Sequence, residues 1–206
     1  MSLFAKLLHA AASRPAIYDG IQVIAGARTV NNRLRWKLKG IALDGWLVDV
    51  GGGTGLPADW GLQPARYVCV DVDPAKLRGF RRKHPAAGAV LGDAQRLPIG
   101  DHTVDVVICK AVTHHLPDDV LPALFADIAR ILKRDGRLLL VDALWAPRRW
   151  RGRLLWRYDR GSHPRTAAAL RDELGRNFEI LDWQRFAVHH DYALAVGRPL
   201  IGHDQD

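Results

Sequence analysis

The stretch LVDVGGGTGLP, from Leu47 to Pro57, places four glycines directly behind a short apolar run. The run itself is typical of a buried strand. Glycine adopts backbone conformations that other residues avoid, and it lets a ligand approach the main chain closely. A bare turn at the end of a strand therefore predicts a ligand site at that point of the fold.

Two common nucleotide-binding motifs do not fit this turn. A phosphate-binding loop needs Gly-Lys followed by Ser or Thr, and the stretch contains no lysine. The dinucleotide fingerprint Gly-x-Gly-x-x-Gly, started at Gly51, meets Leu56 where the third glycine should stand, which disfavours a dehydrogenase. The spacing that remains is Gly51-x-Gly53-x-Gly55, preceded by Val-Asp-Val.

Apolar runs and helical patterns alternate along the rest of the chain. This alternation predicts an α/β fold with a mainly parallel sheet that is covered on both faces. We expect one domain over residues 1–206, with a helical cap over 1–44 and a core over 45–206. Strands are predicted at 46–50, 66–72, 88–93, 103–110, 137–143, 178–183 and 185–197. Helices are predicted at 3–11, twice within 14–39, and at 73–85, 117–136 and 164–177.

The amino-acid composition limits the cellular compartment and the classes of binding partner that are expected for this chain. No apolar run reaches the roughly 18 residues of a membrane span, and the first residues lack the apolar core of a signal peptide. Cys69 and Cys109 stand 40 residues apart, which fits neither a disulfide framework nor a metal site and predicts a reducing cytoplasm. The net charge is +8, and seven arginines between Arg148 and Arg165 favour an anionic partner or a solvated basic face.

The sequence VDVGGGTG resembles the first motif of class I S-adenosylmethionine-dependent methyltransferases. Three further stretches resemble that family's motifs in the same order: VDVDP around Asp71, residues 92–116, and residues 132–142. The resemblance implies a Rossmann-like, doubly wound, mostly parallel seven-stranded sheet with an antiparallel last strand. It also implies S-adenosyl-L-methionine as the cofactor. Pro57 and Pro64 indicate that the first helix after the turn is short.

The same resemblance implies the cofactor-binding residues. Asp71 would bind the ribose hydroxyls, Asp93 the adenine amino group, and Lys110 would meet the cofactor through its backbone. Asp49 would reach the amino-acid end of the cofactor, or would instead bond the amides of the loop. The implied set is Asp49, Gly51, Gly52, Gly53, Gly55, Asp71, Val72, Asp93, Ala94 and Lys110.

The methyl acceptor is expected beyond the carboxyl ends of the strands. His114 and His115 follow the fourth strand and are candidates for a base near neutral pH, or for a packing and capping pair. The Arg- and Trp-rich segment 144–166 would bind substrate or form a structural lid. Its candidate substrate-binding residues are Trp145, Tyr158, Arg160 and His163.

The leading functional hypothesis is methyl transfer to O, C, N or S of an apolar or anionic small molecule. Residues 109–117 lack the Asn/Asp-Pro-Pro-aromatic motif of relatives that methylate exocyclic amines of nucleic-acid bases. An RNA methyltransferase stays open because the pI is about 9.9 and arginines alternate with aromatic residues. A cyclising, cleaving or purely binding use of the same pocket stays open too, as does peripheral membrane contact. No metal is expected, and the oligomeric state stays open.

Overall fold

The structure, a computed structural model, describes residues 27–41, 45–56, 60, 66–146, 156, 163–188 and 190–200. The helices there are α1 (Ala27–Lys39), α2 (Pro74–Lys83), α3 (Leu121–Ile131) and α4 (Ala167–Leu174), with a 3-10 turn at Thr113–His115. The strands are β1 (Leu47–Val50), β2 (Tyr67–Asp71), β3 (Gly88–Leu91), β4 (Val104–Lys110), β5 (Leu132–Leu144), β6 (Phe178–Ala187) and β7 (Asp191–Pro199). The helices expected before residue 27 and the one expected after the glycine turn lie outside the described residues. Within them, no helix has the length and apolarity that crossing a membrane requires.

The seven strands form one sheet in the order β3-β2-β1-β4-β5-β7-β6. Strands β1 to β5 pair in parallel, whereas β7 runs antiparallel to both β5 and β6. The predicted Rossmann-like sheet with an antiparallel last strand is confirmed. The strand order reverses at β1, between β2 and β4, so the carboxyl ends of these strands border the crevice where open α/β sheets bind ligands.

Helices cover both faces of the sheet, which explains why the strands are almost continuously apolar. Leu34 of α1 and Phe80 of α2 pack with Leu47, Cys69 and Ile108 on one face. On the other face, the apolar residues of α3 and α4 pack against Val48 and Val107, among others. Because successive side chains of a strand point to opposite faces, one strand serves both cores.

The helix predicted at 117–136 is shorter than expected, and the strand after it is longer. The helix covers Leu121–Ile131, and β5 begins at Leu132 rather than at Arg137. Leu132 pairs with Val104, and the register shifts before Arg137 pairs with Val106. Gly136 therefore does not end the helix. The predicted helix was too long because Leu132 is apolar and continues the apolar face of the helix. The backbone pairing of this segment with β4 leaves no signal in the sequence.

The two closing strands form a hairpin with a boundary that also differs from the prediction. Strand β6 runs on to Ala187 and β7 begins at Asp191, so the chain does not reverse at Gln184 as predicted. Leu181 is an extra residue between the pairs Ile180–Gly197 and Asp182–Val196. Such a bulge turns a side chain out of the alternation, and Leu181 is 45% exposed.

Phe178 and Leu181 of β6 offer a matched test of this core. Phe178→Ala should lower the free energy of unfolding by about 3 to 5 kcal/mol, because it leaves a cavity under α3. Leu181→Ala should cost less than about 1 kcal/mol, because that side chain is half exposed. Urea denaturation of both variants measures the difference, and equal losses would contradict the described packing of β6.

Candidate functional site

The glycine turn adopts the left-handed backbone that its sequence predicts. The φ angles of Gly51, Gly53 and Gly55 are 67°, 60° and 89°. The turn folds over the end of β2, because the amides of Gly51 and Gly52 donate to the carbonyl of Val70 at 2.8 and 3.3 Å. A methyl group added at Gly53 would meet no atom closer than 3.8 Å. A side chain at Gly53 would therefore stand in van der Waals contact with Lys76 and Asp71, beside the end of β2.

Asp71 lies against this turn at the carboxyl end of β2. Its Oδ2 accepts the amide of Gly53 at 2.9 Å, and its Oδ1 accepts the amide of Asp73 at 2.8 Å. The carboxylate is almost fully buried, at 4% exposure for the residue. A carboxylate has about four acceptor positions, so these two bonds fix its orientation and leave capacity for hydroxyl groups. The structure thus brings the predicted turn and the predicted acid together.

Asp49 supports the turn from beneath. Its Oδ2 accepts the hydroxyl of Tyr67 at 2.6 Å, and that hydroxyl accepts the amide of Leu56 at 3.1 Å. A methyl group added at Gly52 would lie 2.6 Å from Asp49 Oδ2, so the carboxylate fills the space directly under the backbone. Sequence reasoning missed Tyr67. Its apolar strand context gave no sign that its hydroxyl links Asp49 to the loop.

Burial raises the pKa of Asp49 to about 6. The Tyr67 hydroxyl and the charge of Lys110 act in the opposite direction and favour the ionised carboxylate. Whether Asp49 reaches a cofactor stays a prediction, because the structure gives it the supporting role through Tyr67. Asp49 reaches the loop amide of Leu56 through the hydroxyl of Tyr67, whereas the sequence analysis considered direct bonds to loop amides.

The predicted adenine-binding residues lie at the same edge, after β3. Asp93 is exposed, and its Oδ1 accepts the amide of Gln95 at 2.9 Å, which stabilises the turn. Ala94 packs against the core and is half-buried. Val72 and Leu91 are 73% and 61% exposed at the ends of neighbouring strands. Leu91 was not predicted, and with Val72 it offers apolar surface beside Asp71.

Lys110 ends β4 and points its ammonium toward α1. Its Nζ donates to Asn31 Oδ1 at 2.9 Å. Burial lowers the pKa of Lys110, and the charge of Asp49 opposes that shift. The next residue, Ala111, has a φ of 57°, a strained conformation for a residue with a Cβ. The expected backbone contact between Lys110 and the cofactor stays a prediction. The structure adds that the Lys110 side chain is hydrogen-bonded to Asn31.

His114 is held by a buried carboxylate on β5. Its Nδ1 contacts Asp142 Oδ1, while Asp142 Oδ2 accepts the amide of Thr113 at 2.7 Å. Burial alone would raise the pKa of Asp142, but the charge and hydrogen bonds of His114 and Thr113 outweigh it, and the pKa is lowered. An ionised Asp142 therefore fixes a proton on Nδ1 of His114 and leaves Nε2 as the basic nitrogen. His115 is exposed, with its ring 4.1 Å from that of His114.

The segment after β5 packs on the loop that carries His114. The His163 amide donates to the carbonyl of His114 at 3.0 Å, and the Trp145 amide donates to the carbonyl of Arg165 at 2.7 Å. Arg165, a residue of the Arg-rich segment expected to hold an anion, instead donates its guanidinium to the carbonyls of Thr113 and Leu116 at 2.6 Å each. Of the predicted substrate-binding residues, His163 thus lies beside His114 and Trp145 lies beside Arg165, whereas Tyr158 and Arg160 lie outside the described residues.

A row of aromatic rings extends from His114 along the ends of β5, β6 and β7. Trp156 contacts His114 and His190, with ring centroids 5.7 and 5.0 Å apart. Tyr192 stacks on Phe186 at 5.5 Å. Because Tyr192 pairs with Ala143, these rings lie at the carboxyl edge of the sheet. The guanidinium of Arg33 lies 4.6 Å from the centroid of the Phe186 ring and places a cation at the end of the row.

A cleft of about 560 Å³ lies at the opposite edge, between α1 and β6. Trp36, Arg137 and Leu181 are among its lining residues, and no predicted site residue lines it. Ligands bind open α/β sheets at the carboxyl ends of the strands, so we assign the functional site to the crevice around Gly53, Asp71, Lys110 and His114. The described residues hold no group of three or more potential metal ligands.

Known proteins are similar in sequence to the part of the chain that contains the glycine turn, Asp71 and Lys110. Residues 48–140 match the family described as "Methyltransferase domain". The chain is 34% identical over 83 residues to a phthiotriol/phenolphthiotriol dimycocerosates methyltransferase of Mycobacterium leprae, covering 39% of this chain and 30% of that protein. It is 32% identical over 102 residues to a fatty-acid O-methyltransferase of Mycolicibacterium smegmatis, covering 47% and 36% of the two chains. The matched segments thus span about a third of these relatives.

A solved structure shares the fold over most of the chain. Geranyl diphosphate C-methyltransferase from Streptomyces coelicolor, crystallised with S-adenosyl-L-homocysteine, superposes with a TM-score of 0.68. The match covers 84% of this chain and 76% of that protein, at 13% sequence identity. At this identity the likeness is one of fold, and it agrees with the strand order described above.

The buried Asp49 should leave a signature in the pH dependence of stability. Its folded pKa of about 6 exceeds the usual value near 4, so the folded state holds a proton that the unfolded state loses between about pH 4 and 6. Ionised Asp49 therefore costs stability, and wild-type stability falls as pH rises through this window. The difference in unfolding free energy between Asp49→Asn and wild type should grow by about 2 to 3 kcal/mol from pH 4 to pH 7. Urea denaturation across this range measures it, and a flat difference would show that Asp49 is not buried as described.

Proposed function

We propose that the chain is a class I S-adenosylmethionine-dependent methyltransferase and that it transfers the cofactor's methyl group to a small-molecule acceptor, which the match of residues 48–140 to the methyltransferase family supports. The observation that carries the proposal is the bond between the Gly53 amide and Asp71. That bond holds a buried carboxylate beside a bare backbone at the switch point of the sheet. Roles for individual residues follow from where each group lies.

The residues of the crevice fit a nucleoside with an amino-acid tail. Asp71 keeps acceptor capacity for two ribose hydroxyls, and Val72 and Leu91 offer apolar surface for a flat base. A Cβ at Gly53 would intrude on the space beside Asp71. The bound cofactor supplies a methyl group on a cationic sulfur and so brings its own leaving group. The task of the chain is therefore to hold and orient the two reactants.

We assign His114 the role of base for acceptors that must lose a proton. Asp142 fixes the proton on Nδ1 and stabilises the imidazolium that forms when Nε2 accepts a second proton. Arg165 ties the carbonyls of Thr113 and Leu116, and so holds the loop that carries His114. The exposed His115, whose ring lies 4.1 Å from that of His114, would serve as a neighbouring ring.

We propose an apolar or anionic small molecule as the acceptor. The aromatic row between Trp156 and Phe186 offers flat apolar surface, and Arg33 at its end offers a positive charge. The two relatives reported above are named for lipid and fatty-acid acceptors, which supports a small molecule over RNA. Contact with a membrane surface would suit a lipid acceptor and belongs to the same proposal.

The organisation of the chain and its compartment complete the proposal. We propose one domain over residues 1–206, with 1–44 as a cap on the core. The cytoplasm fits the two cysteines, since Cys69 and Cys109 are buried free thiols.

Isothermal titration with S-adenosyl-L-homocysteine tests the cofactor site without any acceptor. We expect Asp71→Asn to weaken binding by about 10- to 100-fold, because a neutral amide accepts more weakly from hydroxyls. The control Asp172→Asn changes an exposed acid on α4 and should leave the affinity unchanged. Absence of binding by the wild type, or equal binding by Asp71→Asn, would overturn the proposed site.

The role of His114 is tested by comparing acceptors that differ in protonation. With labelled S-adenosylmethionine, a panel of fatty acids and hydroxylated apolar compounds serves as acceptors. We expect His114→Gln to lower kcat by about 10²- to 10⁴-fold on a hydroxyl acceptor and by less than about tenfold on a carboxylate, which is already ionised. His115→Gln is the matched control, with less than about a tenfold effect on either acceptor. Equal losses for the two histidine variants would contradict the assigned role.

A further inference from the structure

The two helices on one side of the sheet carry only positive charge. Helix α1 has five basic residues and no acid, and α2 likewise has five and no acid, all five of them exposed. Both helices pack on the same face of the sheet, through Leu34 and Phe80. On the other face, α3 and α4 carry charges of both signs, for example Asp127 beside Arg130. Among the described helices, the excess of positive charge therefore lies on one side of the sheet.

Helix α1 presents a continuous exposed stripe on its outer side. Arg28, Asn32, Trp36 and Lys39 recur at helical spacing, and all four are exposed. The stripe contains no acid, and its apolar member is a large aromatic residue, Trp36, which is 69% exposed. A helix that combines exposed cations with an exposed tryptophan is typical of helices that lie at a bilayer surface.

The apolar part of this surface extends from α1 onto β6. Trp36 and Leu181 both line the cleft of about 560 Å³ between α1 and β6. Lys39 and Arg137 line the same cleft, so cations border the apolar side chains. Tryptophan rings favour the headgroup layer of a membrane, where an apolar ring and a polar N–H are both accommodated. The cleft thus joins apolar and cationic groups in the order that a lipid surface presents them.

Other occupants use only part of this surface. A second copy of the chain would bring two basic layers of the same sign together, and these would repel each other. RNA would use the cations, but its recognition depends on aromatic stacking and hydrogen bonds, to which the exposed Leu181 adds nothing. A bilayer with anionic headgroups uses both the cations and the apolar side chains.

We propose that the outer side of α1 and α2, together with the cleft at Leu181, docks on a bilayer that contains anionic lipid. The inference rests on the membrane contact included in the proposed function, and it names the surface and the lipid charge. Trp36 and Leu181 enter the boundary between headgroups and acyl chains, and the cations of both helices bind lipid phosphates. Such docking needs no oriented polar groups, in contrast to a small-molecule site. Because α1 also holds Arg33 against the Phe186 ring, docking places the aromatic row near the bilayer.

Co-sedimentation with lipid vesicles tests the proposal on the full chain without cofactor. We expect binding to vesicles with about a third phosphatidylglycerol, and at least about tenfold weaker binding to pure phosphatidylcholine. Arg28→Gln combined with Lys39→Gln should weaken binding to the anionic vesicles by about 25-fold, since each cation near such a bilayer contributes about fivefold. Arg171→Gln combined with Arg176→Gln is the matched control, because it removes the same charge from exposed positions on and just after α4. The control should change binding by less than about threefold.

Trp36→Ser tests the apolar part of the surface. It should weaken binding to the anionic vesicles by about tenfold, because the ring no longer enters the bilayer. This factor should stay the same at low and moderate salt, whereas the factor of the Arg28 and Lys39 double variant should shrink as salt screens the charges. Thermal melting of each variant shows that the fold is retained.

Several outcomes would overturn the docking surface. These are absence of vesicle binding by the wild type, equal losses in the α1 and α4 double variants, and no loss in Trp36→Ser. Tighter binding to a single-stranded RNA oligonucleotide than to the vesicles would assign the surface to RNA. A dimer seen by light scattering and lost in Trp36→Ser would assign it to a second copy. Titration with S-adenosyl-L-homocysteine separates the two proposals, because cofactor binding without vesicle binding leaves the proposed methyl transfer intact, and the reverse leaves the docking surface intact.

Discussion

The hydrogen bond from the Gly53 amide to Asp71 Oδ2, at 2.9 Å, joins the glycine turn after β1 to the acid at the end of β2. It requires Gly53 to take a positive φ, which a residue with a Cβ rarely adopts. It also requires β2 to end at Asp71, beside β1 in parallel register, so that the acid meets the turn. The shape of the crevice depends on this one contact, in which the backbone after β1 fixes the Asp71 carboxylate at the end of β2.

Polar groups beneath the turn make this arrangement rigid. Asp49 and the Tyr67 hydroxyl form a buried pair that reaches Leu56 on the far side of the glycines. Burying the carboxylate is costly, as the raised pKa of Asp49 shows. The cost secures a turn in which four of the five residues from Gly51 to Gly55 are glycines. Asp142 does the same for the turn at Thr113–His115, again by placing a buried acid under a short loop.

Much of this could be predicted from the sequence, because the signals were local. The glycines, the acid at the end of the second strand and the alternation of apolar runs each depend on neighbours in the chain. The missed features depend on partners far away in sequence. Tyr67 links to Asp49, 18 residues away, and Lys110 meets Asn31, 79 residues away. Neither distance leaves a spacing that could be recognised in advance.

Exposed apolar side chains lie at both edges of the sheet, but the polar groups around them differ. Val72 and Leu91 stand at the carboxyl edge beside Asp71, where a flat base can cover them. Trp36 and Leu181 stand at the opposite cleft, where Lys37 and Asp182 form an ion pair at 2.5 Å. Within the described part of the chain, the first edge alone joins apolar surface to fixed acids, a buried cation and a bare turn. Exposed apolar side chains therefore indicate a ligand site only where oriented polar groups surround them. This combination lies at the point where the strand order reverses.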